Sequence, residues 1–212
     1  MKWAVFLDRD GTIIEEVGHL GDPERLSLIP GSAEAIRLLN EASIPVILAT
    51  NQAGVGRGYF PAGMVEAIHE RLAEHLARQD GRLDGIYYCP HHPSEQCGCR
   101  KPNPGMLMRA AQEQGIDVRR SFMVGDTVSD VDAGRRVGCR TVLVLTGYGI
   151  ETRETFKSLH FQPDYIAAGL VDAVKWILSQ NPMERHANAS TDRCDTWPAG
   201  SLEVARESPG QP

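Results

Sequence analysis

The sequence predicts an α/β fold, a doubly wound parallel sheet with helices on both faces. Two observations lead there. Short apolar runs of strand length recur along the chain with amphipathic, helix-like stretches between them, an alternation that builds a parallel sheet. The runs also end in acids, amides or basic residues, and open α/β sheets gather their ligands outside the carboxyl ends of their strands.

The first run, Trp3 to Leu7, stops at Asp8-Arg9-Asp10-Gly11-Thr12. An apolar run bounded by a turn signal reads as a buried strand, and Gly11 lets the backbone turn sharply and keeps bulk away from whatever binds there. Glu15 to Ser27, with Gly18, Gly21 and Pro23, reads as a surface excursion. Pro30-Gly31-Ser32 opens a helix with Ser32 as its N-cap and Ile36, Leu38 and Leu39 on the buried side. Ile44 to Ala49 is the second strand and leads into Thr50-Asn51-Gln52. Gly54-x-Gly56-x-Gly58 reads as a flexible loop, since it lacks the spacing and the Lys-Ser/Thr of a nucleotide fingerprint. A helix starts near Pro61, a good first-turn residue. Met64, Ile68, Leu72 and Leu76 form its core stripe, while His69 and His75 are expected at the surface.

Gly85 to Cys89 is the third strand, followed by a loop dense in Cys, His and Pro and a helix from Pro104 to Gly115. Phe122 to Val124, running into Gly125-Asp126-Thr127-Val128-Ser129-Asp130, is the fourth. A short helix through Ala133 and Val137 stops at Gly138, and Cys139 is expected to be buried ahead of a fifth strand, Thr141 to Leu145. Asp164 to Ala167 makes a sixth strand and Leu170 to Leu178 the last helix. No segment between these elements is long enough for a large cap domain, so the rim should be open. From Asn181 the pattern collapses. Residues 1–180 read as the folded domain and 181–212, rich in Pro, Ser, Gly, Ala and charge, as a disordered tail with too little to bury. Cys194 within it reads as incidental.

Composition bounds the function. A hydrophobic share of 42% with 24% charged residues suits a soluble domain with a real core. The net charge of −6 argues against a nucleic-acid partner, which marks itself by a basic patch. Asp8 interrupts the first apolar run too early for a signal-peptide core, and no stretch is long enough to span a membrane. The expected compartment is the cytoplasm. There, cysteines crowded as Cys89, Cys97 and Cys99 suggest a metal before a disulfide.

Parallel strands would bring Asp8 and Asp10, Thr50 and Asn51, Arg100 and Lys101, and Asp126 and Asp130 to one rim. Carboxylates so gathered repel one another unless a divalent cation holds them, and hard oxygen ligands with room for water and phosphate suit Mg2+. A lysine, an arginine and a threonine hydroxyl then complete a pocket for a phosphoryl group. An aspartate can be the nucleophile, and a second acid can protonate the leaving alkoxide. Separately, Cys89-x-His91 and Cys97-x-Cys99 offer four N/S ligands, the complement of a closed tetrahedral zinc site. Alternation in an extended chain puts His91, rather than His92, on the side of Cys89. A full set of four makes such a site structural, and it would aim Arg100 and Lys101 at the phosphate.

Asp8-Arg9-Asp10-Gly11-Thr12, Ala49-Thr50-Asn51-Gln52, Arg100-Lys101-Pro102 and Gly125-Asp126-x3-Asp130 resemble the four motifs of the haloacid dehalogenase superfamily, over roughly residues 3–178. Tyr87-Tyr88-Cys89-Pro90-His91-His92-Pro93 and Cys97-Gly98-Cys99-Arg100-Lys101-Pro102 are similar to segments of the heptose bisphosphate phosphatases, with histidinol-phosphate phosphatases sharing much of the pattern. The resemblance implies the haloacid dehalogenase-like fold. It makes Asp8 the nucleophile and Asp10 the acid/base, with Mg2+ on the Asp8 carboxylate, the Asp10 carbonyl and Asp126. Thr50 and Lys101 would stabilise the phosphoryl group, and Asp130 would stand behind the metal. Arg100, with Asn51, Gln52 and His19 as further candidates, would contact substrate. The expected partner is a small phosphorylated sugar as substrate, and the chain is expected to work as a monomer in heptose supply for lipopolysaccharide or surface glycans. Histidinol phosphate and a phospho-accepting receiver module are the alternatives. The sequence departs from many heptose phosphatases in two places: Thr127 follows the metal aspartate, where lysine is common, and the His91-to-Cys97 loop is short.

Overall fold

The computed structural model describes residues 2–180; the tail expected from residue 181 onward, with Cys194, lies outside the described residues. Six strands form one parallel sheet: β1 (Val5–Leu7), β2 (Val46–Asn51), β3 (Gly85–Cys89), β4 (Phe122–Gly125), β5 (Arg140–Val144) and β6 (Tyr165–Ala167). Their order is β3-β2-β1-β4-β5-β6, with Leu7 aligned to Leu48 on one side and Val124 on the other. The chain winds outward from β1 to β3, returns to β4 beside β1, and winds out again to β6. The reversal puts the topological switch point at the carboxyl end of β1, where such sheets bind their ligands.

Both faces are covered, and the strand sequences say which residue goes where. Val5, Leu7, Val46, Leu48, Val124, Val142 and Val144 point into one apolar cluster. That cluster is closed by α1 (Ser32–Glu41), α3 (Ala62–Ala77) and α7 (Leu170–Ser179), through Ile36, Leu72 and Ile177 among others. The intervening Phe6, Ile47, Ala49 and Met123 point to the opposite face, against α4 (Gly105–Gln114). Leu143 meets α5 (Val128–Arg136) and α6 (Gly149–Phe156) there through Val131 and Phe156. Strands buried on both sides read as unbroken apolar runs rather than alternating ones.

Several sequence expectations need correction. Gly31, at φ 86, rather than Ser32, sits before the first turn of α1, and Ser32 is already helical. The Gly-rich stretch after β2 begins as a short helix, α2 (Ala53–Gly56), because its amides have an acceptor waiting: the Gly56 N–H donates to the Pro90 carbonyl at 2.8 Å. Helix α6 was not expected, since it buries only Gly149, Thr152 and Phe156 and so carries almost no apolar period. The excursion after β1 lies on the surface, yet buries Leu20 and Leu26. No inserted cap domain stands between the described elements. No described helix is long and apolar enough to cross a membrane.

Candidate active site

The switch point gathers carboxylates. Ligand oxygens of Asp8, Asp126 and Asp130 lie within 4.8 Å of one another. Asp8 leaves β1 with its Oδ1 accepting the Arg9 backbone N–H at 2.8 Å and contacted by Lys101 Nζ at 2.8 Å. No described residue donates a hydrogen bond to its Oδ2, and the side chain keeps 13% exposure.

Lys101 is buried, and its ammonium donates to the Ala49 carbonyl at 2.7 Å and pairs with Asp8 Oδ1 at 2.8 Å and Asp130 Oδ1 at 2.6 Å. Burial alone would pull its pKa down, but the charges of Asp130 and Asp8 outweigh it and hold the ammonium firmly protonated. Asp130, fully buried, uses Oδ2 to accept the Thr127 N–H at 3.0 Å and hydroxyl at 2.6 Å. It thus caps the start of α5 and anchors Lys101 at once.

Asp126 follows β4 directly and joins the same cluster. Its Oδ2 accepts the Tyr148 N–H at 2.8 Å. Burial, then the nearby charges of Asp8 and Asp130, push its pKa up to about 8. Two glycines make room for it. A Cβ on Gly11 (φ +75) or on Gly147 (φ +53) would stand 2.2 Å from Asp126 Oδ2. The Thr146 hydroxyl, donating to the Gly11 carbonyl at 2.6 Å, ties the two loops together. Hard oxygens crowded until one resists ionisation are the donor set of a divalent cation, so these residues fit Mg2+.

The remaining rim residues divide into those that face out and those that face in. Thr50 is buried at the end of β2, and its hydroxyl oxygen accepts from Gln52 Nε2 at 2.8 Å, so its own proton is free to be donated. Asn51 and Gln52, expected as substrate contacts, use their amides on the protein instead. Asn51 Oδ1 accepts the Lys101 N–H at 3.0 Å while Nδ2 donates to the Lys101 carbonyl at 3.1 Å. Gln52 Nε2 donates to Asp10 Oδ2 at 2.8 Å and its Oε1 accepts from Arg9 Nη2 at 2.8 Å. Arg100 is half-buried, with Nη1 enclosed and without a hydrogen-bond partner. His19 is exposed and packs its ring on Tyr59, centroids 5.1 Å apart.

Two residues escaped the sequence reading. Arg9 is fully buried, and His69, expected at the surface, is buried on α3 against it. Helical spacing did carry a signal, since His69 falls one residue after Ile68 on the stripe that faces the sheet.

Beyond β3 the cysteines converge. Cys89 Sγ lies 3.4 Å from His91 Nδ1 and from Cys97 Sγ, and 3.1 Å from Cys99 Sγ; Cys99 Sγ lies 3.2 Å from His91 Nδ1. Hydrogen bonds from Cys99 first, and from His91, pull the Cys89 thiol down to about 5, while the same contact pushes Cys99 up. His92 turns away, its Nδ1 accepting the Ser94 N–H at 3.2 Å in a three-residue 3-10 turn. The loop is tied down by the Gln52 N–H on the Cys89 carbonyl at 2.8 Å and by Asn103 Nδ2 on the Cys97 carbonyl at 2.9 Å. Four soft ligands meeting at one point fit a tetrahedral zinc.

Fold and rim together define a haloacid dehalogenase-like phosphatase, a phosphoric monoester hydrolase. The HAD-hydrolase-like family model matches residues 98–173. A D-glycero-D-manno-heptose-1,7-bisphosphate 7-phosphatase of Thermosynechococcus vestitus is 45% identical, over 82% of this chain and 94% of its own. A D-glycero-beta-D-manno-heptose-1,7-bisphosphate 7-phosphatase of Pasteurella multocida is 41% identical, over 84% of this chain and 97% of its own. Among solved structures, a D,D-heptose 1,7-bisphosphate phosphatase from B. bronchiseptica, complexed with magnesium and phosphate, superposes with a TM-score of 0.78 at 34% identity, over 84% of this chain and 99% of that one. The chain belongs to the family of the heptose 1,7-bisphosphate 7-phosphatases.

Proposed function

We propose that this chain is a Mg2+-dependent phosphomonoesterase that removes the 7-phosphate of D-glycero-D-manno-heptose 1,7-bisphosphate through a phosphoryl-aspartate at Asp8. It would act as a cytoplasmic monomer in the supply of heptose for surface glycans. The observation that carries this reading is the state of Asp8: Oδ1 is held by Lys101 and a backbone N–H, while the side chain keeps 13% exposure.

In this reading Asp8 Oδ2 attacks phosphorus, and the ester oxygen of the sugar leaves on the opposite side. Asp10 gives that oxygen its proton and then takes one from the water that cleaves the acyl phosphate. Lys101 keeps the Asp8 carboxylate in place and neutralises charge beside it, while the Thr50 hydroxyl donates to a phosphoryl oxygen. Arg100, half-buried beside the rim, supplies a positive charge to a distant anionic group of the substrate. Asn51 and Gln52 support the reaction from behind, through Lys101 and Asp10. The Asp8 and Asp126 carboxylates and the Asp10 carbonyl would hold Mg2+, which when bound supplies positive charge to the transferring group and relieves the repulsion among the carboxylates. Cys89, His91, Cys97 and Cys99 would hold a structural Zn2+ that fixes the segment leading into Arg100 and Lys101.

A bisphosphate offers Arg100 a second anion; histidinol phosphate, a cation at that end, does not. One charge-assisted contact is worth about 1.5–3 kcal/mol, or about one to two orders of magnitude in kcat/KM. The heptose bisphosphate should lead histidinol phosphate by at least that factor in a phosphate-release assay, and Arg100→Ala should narrow the gap. Equal or better kcat/KM on histidinol phosphate would overturn the substrate assignment.

A further inference from the structure

The first loop buries a positive charge that the reaction itself does not use. Arg9, between the two rim aspartates, has 0% exposure, and a buried guanidinium survives only when its N–H groups are met. On one side its fork grips Asp10: Nε to Oδ2 at 3.2 Å and Nη2 to Oδ1 at 3.1 Å. Nη2 also donates to Gln52 Oε1 at 2.8 Å, and Gln52 Nε2 returns a bond to Asp10 Oδ2 at 2.8 Å. Behind the fork, Nη1 meets His69 Nε2 at 3.3 Å. Arginine has donors only, so His69 Nε2 must be the acceptor, which fixes the neutral ring with its proton on Nδ1. His69 is 5% exposed, and its ring stands edge-on to Tyr88, centroids 5.6 Å apart.

The chain of contacts therefore runs from α3 and β3, through a guanidinium that cannot swing, to the carboxylate of Asp10. An acid catalyst must meet its proton acceptor within hydrogen-bond reach, and a loop carboxylate two residues past the nucleophile has no such placement of its own. A planar bidentate fork sets both oxygens of Asp10 at once. The fork is set in turn by its third nitrogen. Without an acceptor at His69 the buried Nη1 would be left unmatched, and the guanidinium would turn to find another partner, carrying Asp10 with it.

We propose that His69, acting through Arg9, is a positioning residue that holds Asp10 for proton transfer to the leaving sugar oxygen. The proposal rests on the reading of Asp10 as the general acid, and the test separates the two. A sugar alkoxide is a poor leaving group and needs the proton; p-nitrophenolate is a good one and needs it little. His69→Phe keeps a ring beside Tyr88 and removes the acceptor; His69→Gln removes the ring and keeps an acceptor.

The measurement is kcat/KM on D-glycero-D-manno-heptose 1,7-bisphosphate and on p-nitrophenyl phosphate, for the Mg2+-loaded full chain and for His69→Phe, His69→Gln and Asp10→Asn. His69→Phe should lose about tenfold to a hundredfold on the sugar ester, the scale of an ångström-sized misplacement. On the aryl ester it should stay within about threefold, where little general-acid assistance is at stake. His69→Gln should recover most of the sugar activity. Asp10→Asn should show the same split, larger. If Asp10→Asn shows no split, the acid role of Asp10 fails, and the proposal with it. If Asp10→Asn shows it but His69→Phe loses both activities equally, or neither, the positioning role alone is wrong. Should His69→Phe not fold, His69→Leu is read by the same criteria.

Discussion

Asp126 sits in a space that exists only because Gly11 and Gly147 have no side chains, and its carboxyl resists ionisation. Burial and the charges of Asp8 and Asp130 hold its pKa at about 8. The consequence can be signed. Between about pH 4 and 8 the metal-free folded protein keeps a proton there that the unfolded chain, at the ordinary value of 3.8, has lost; metal-free stability from this group therefore falls as pH rises through that window. If Asp126 holds Mg2+, as proposed, the metal must displace that proton, so its affinity should climb with pH, approaching about tenfold per unit, and level off above about 8. Calorimetric Mg2+ titrations between pH 6 and 9 would reveal this. A flat affinity across that range would mean Asp126 is already ionised and takes no part in a proton-coupled site.

At the scale of elements, the segment from β3 to α4 joins the cysteine cluster to the reacting rim with a single residue, Arg100, between Cys99 and Lys101. Disturbing one end should be felt at the other. Cys97→Ser is expected to lower bound zinc well below one per chain, to lower the melting temperature, and to reduce kcat. Removing one ligand from a closed structural site weakens metal binding, and metal binding there is folding energy. Metal analysis, thermal unfolding and phosphate release on the same preparation check it; full activity in zinc-free protein would dissociate the cluster from the site. The cluster was legible in the sequence because its ligands are two and eight residues apart, and alternation along an extended chain separated His91 from His92. The inward roles of Asn51, Gln52, Arg9 and His69 were not. Each depends on a partner more than forty residues away, such as Asn51 on Lys101 at a separation of 50 and Arg9 on His69 at 60. No local pattern reports that. Helix α6 was missed for a different reason, since an element that buries one aromatic has no periodicity to read.

At the scale of the molecule, sheet order explains why so much chemistry meets at one edge. Because β1 is central and its neighbours are β2 and β4, the first, second and fourth strands deliver Asp8, Thr50 and Asp126 to a single crevice, and the loop after β3 brings Lys101 across to them. All six strands and both helical layers close within residues 2–180. A chain ending at Gln180 should therefore keep its melting temperature within a few degrees and its kcat/KM within about twofold, as expected when removed residues add nothing to the core; loss of folding would show that the remaining residues are part of the domain. The central claim is that Asp8 transfers the 7-phosphoryl group. It is tested most directly by following D-glycero-D-manno-heptose 1,7-bisphosphate by phosphorus NMR with the native chain and with Asp8→Asn. The native chain should convert the 7-phosphate to inorganic phosphate and leave the 1-phosphate intact. Asp8→Asn, still folded, should fall by about four orders of magnitude or more, as for loss of an attacking group. Near-native turnover by Asp8→Asn, or release of the 1-phosphate instead, would contradict the account.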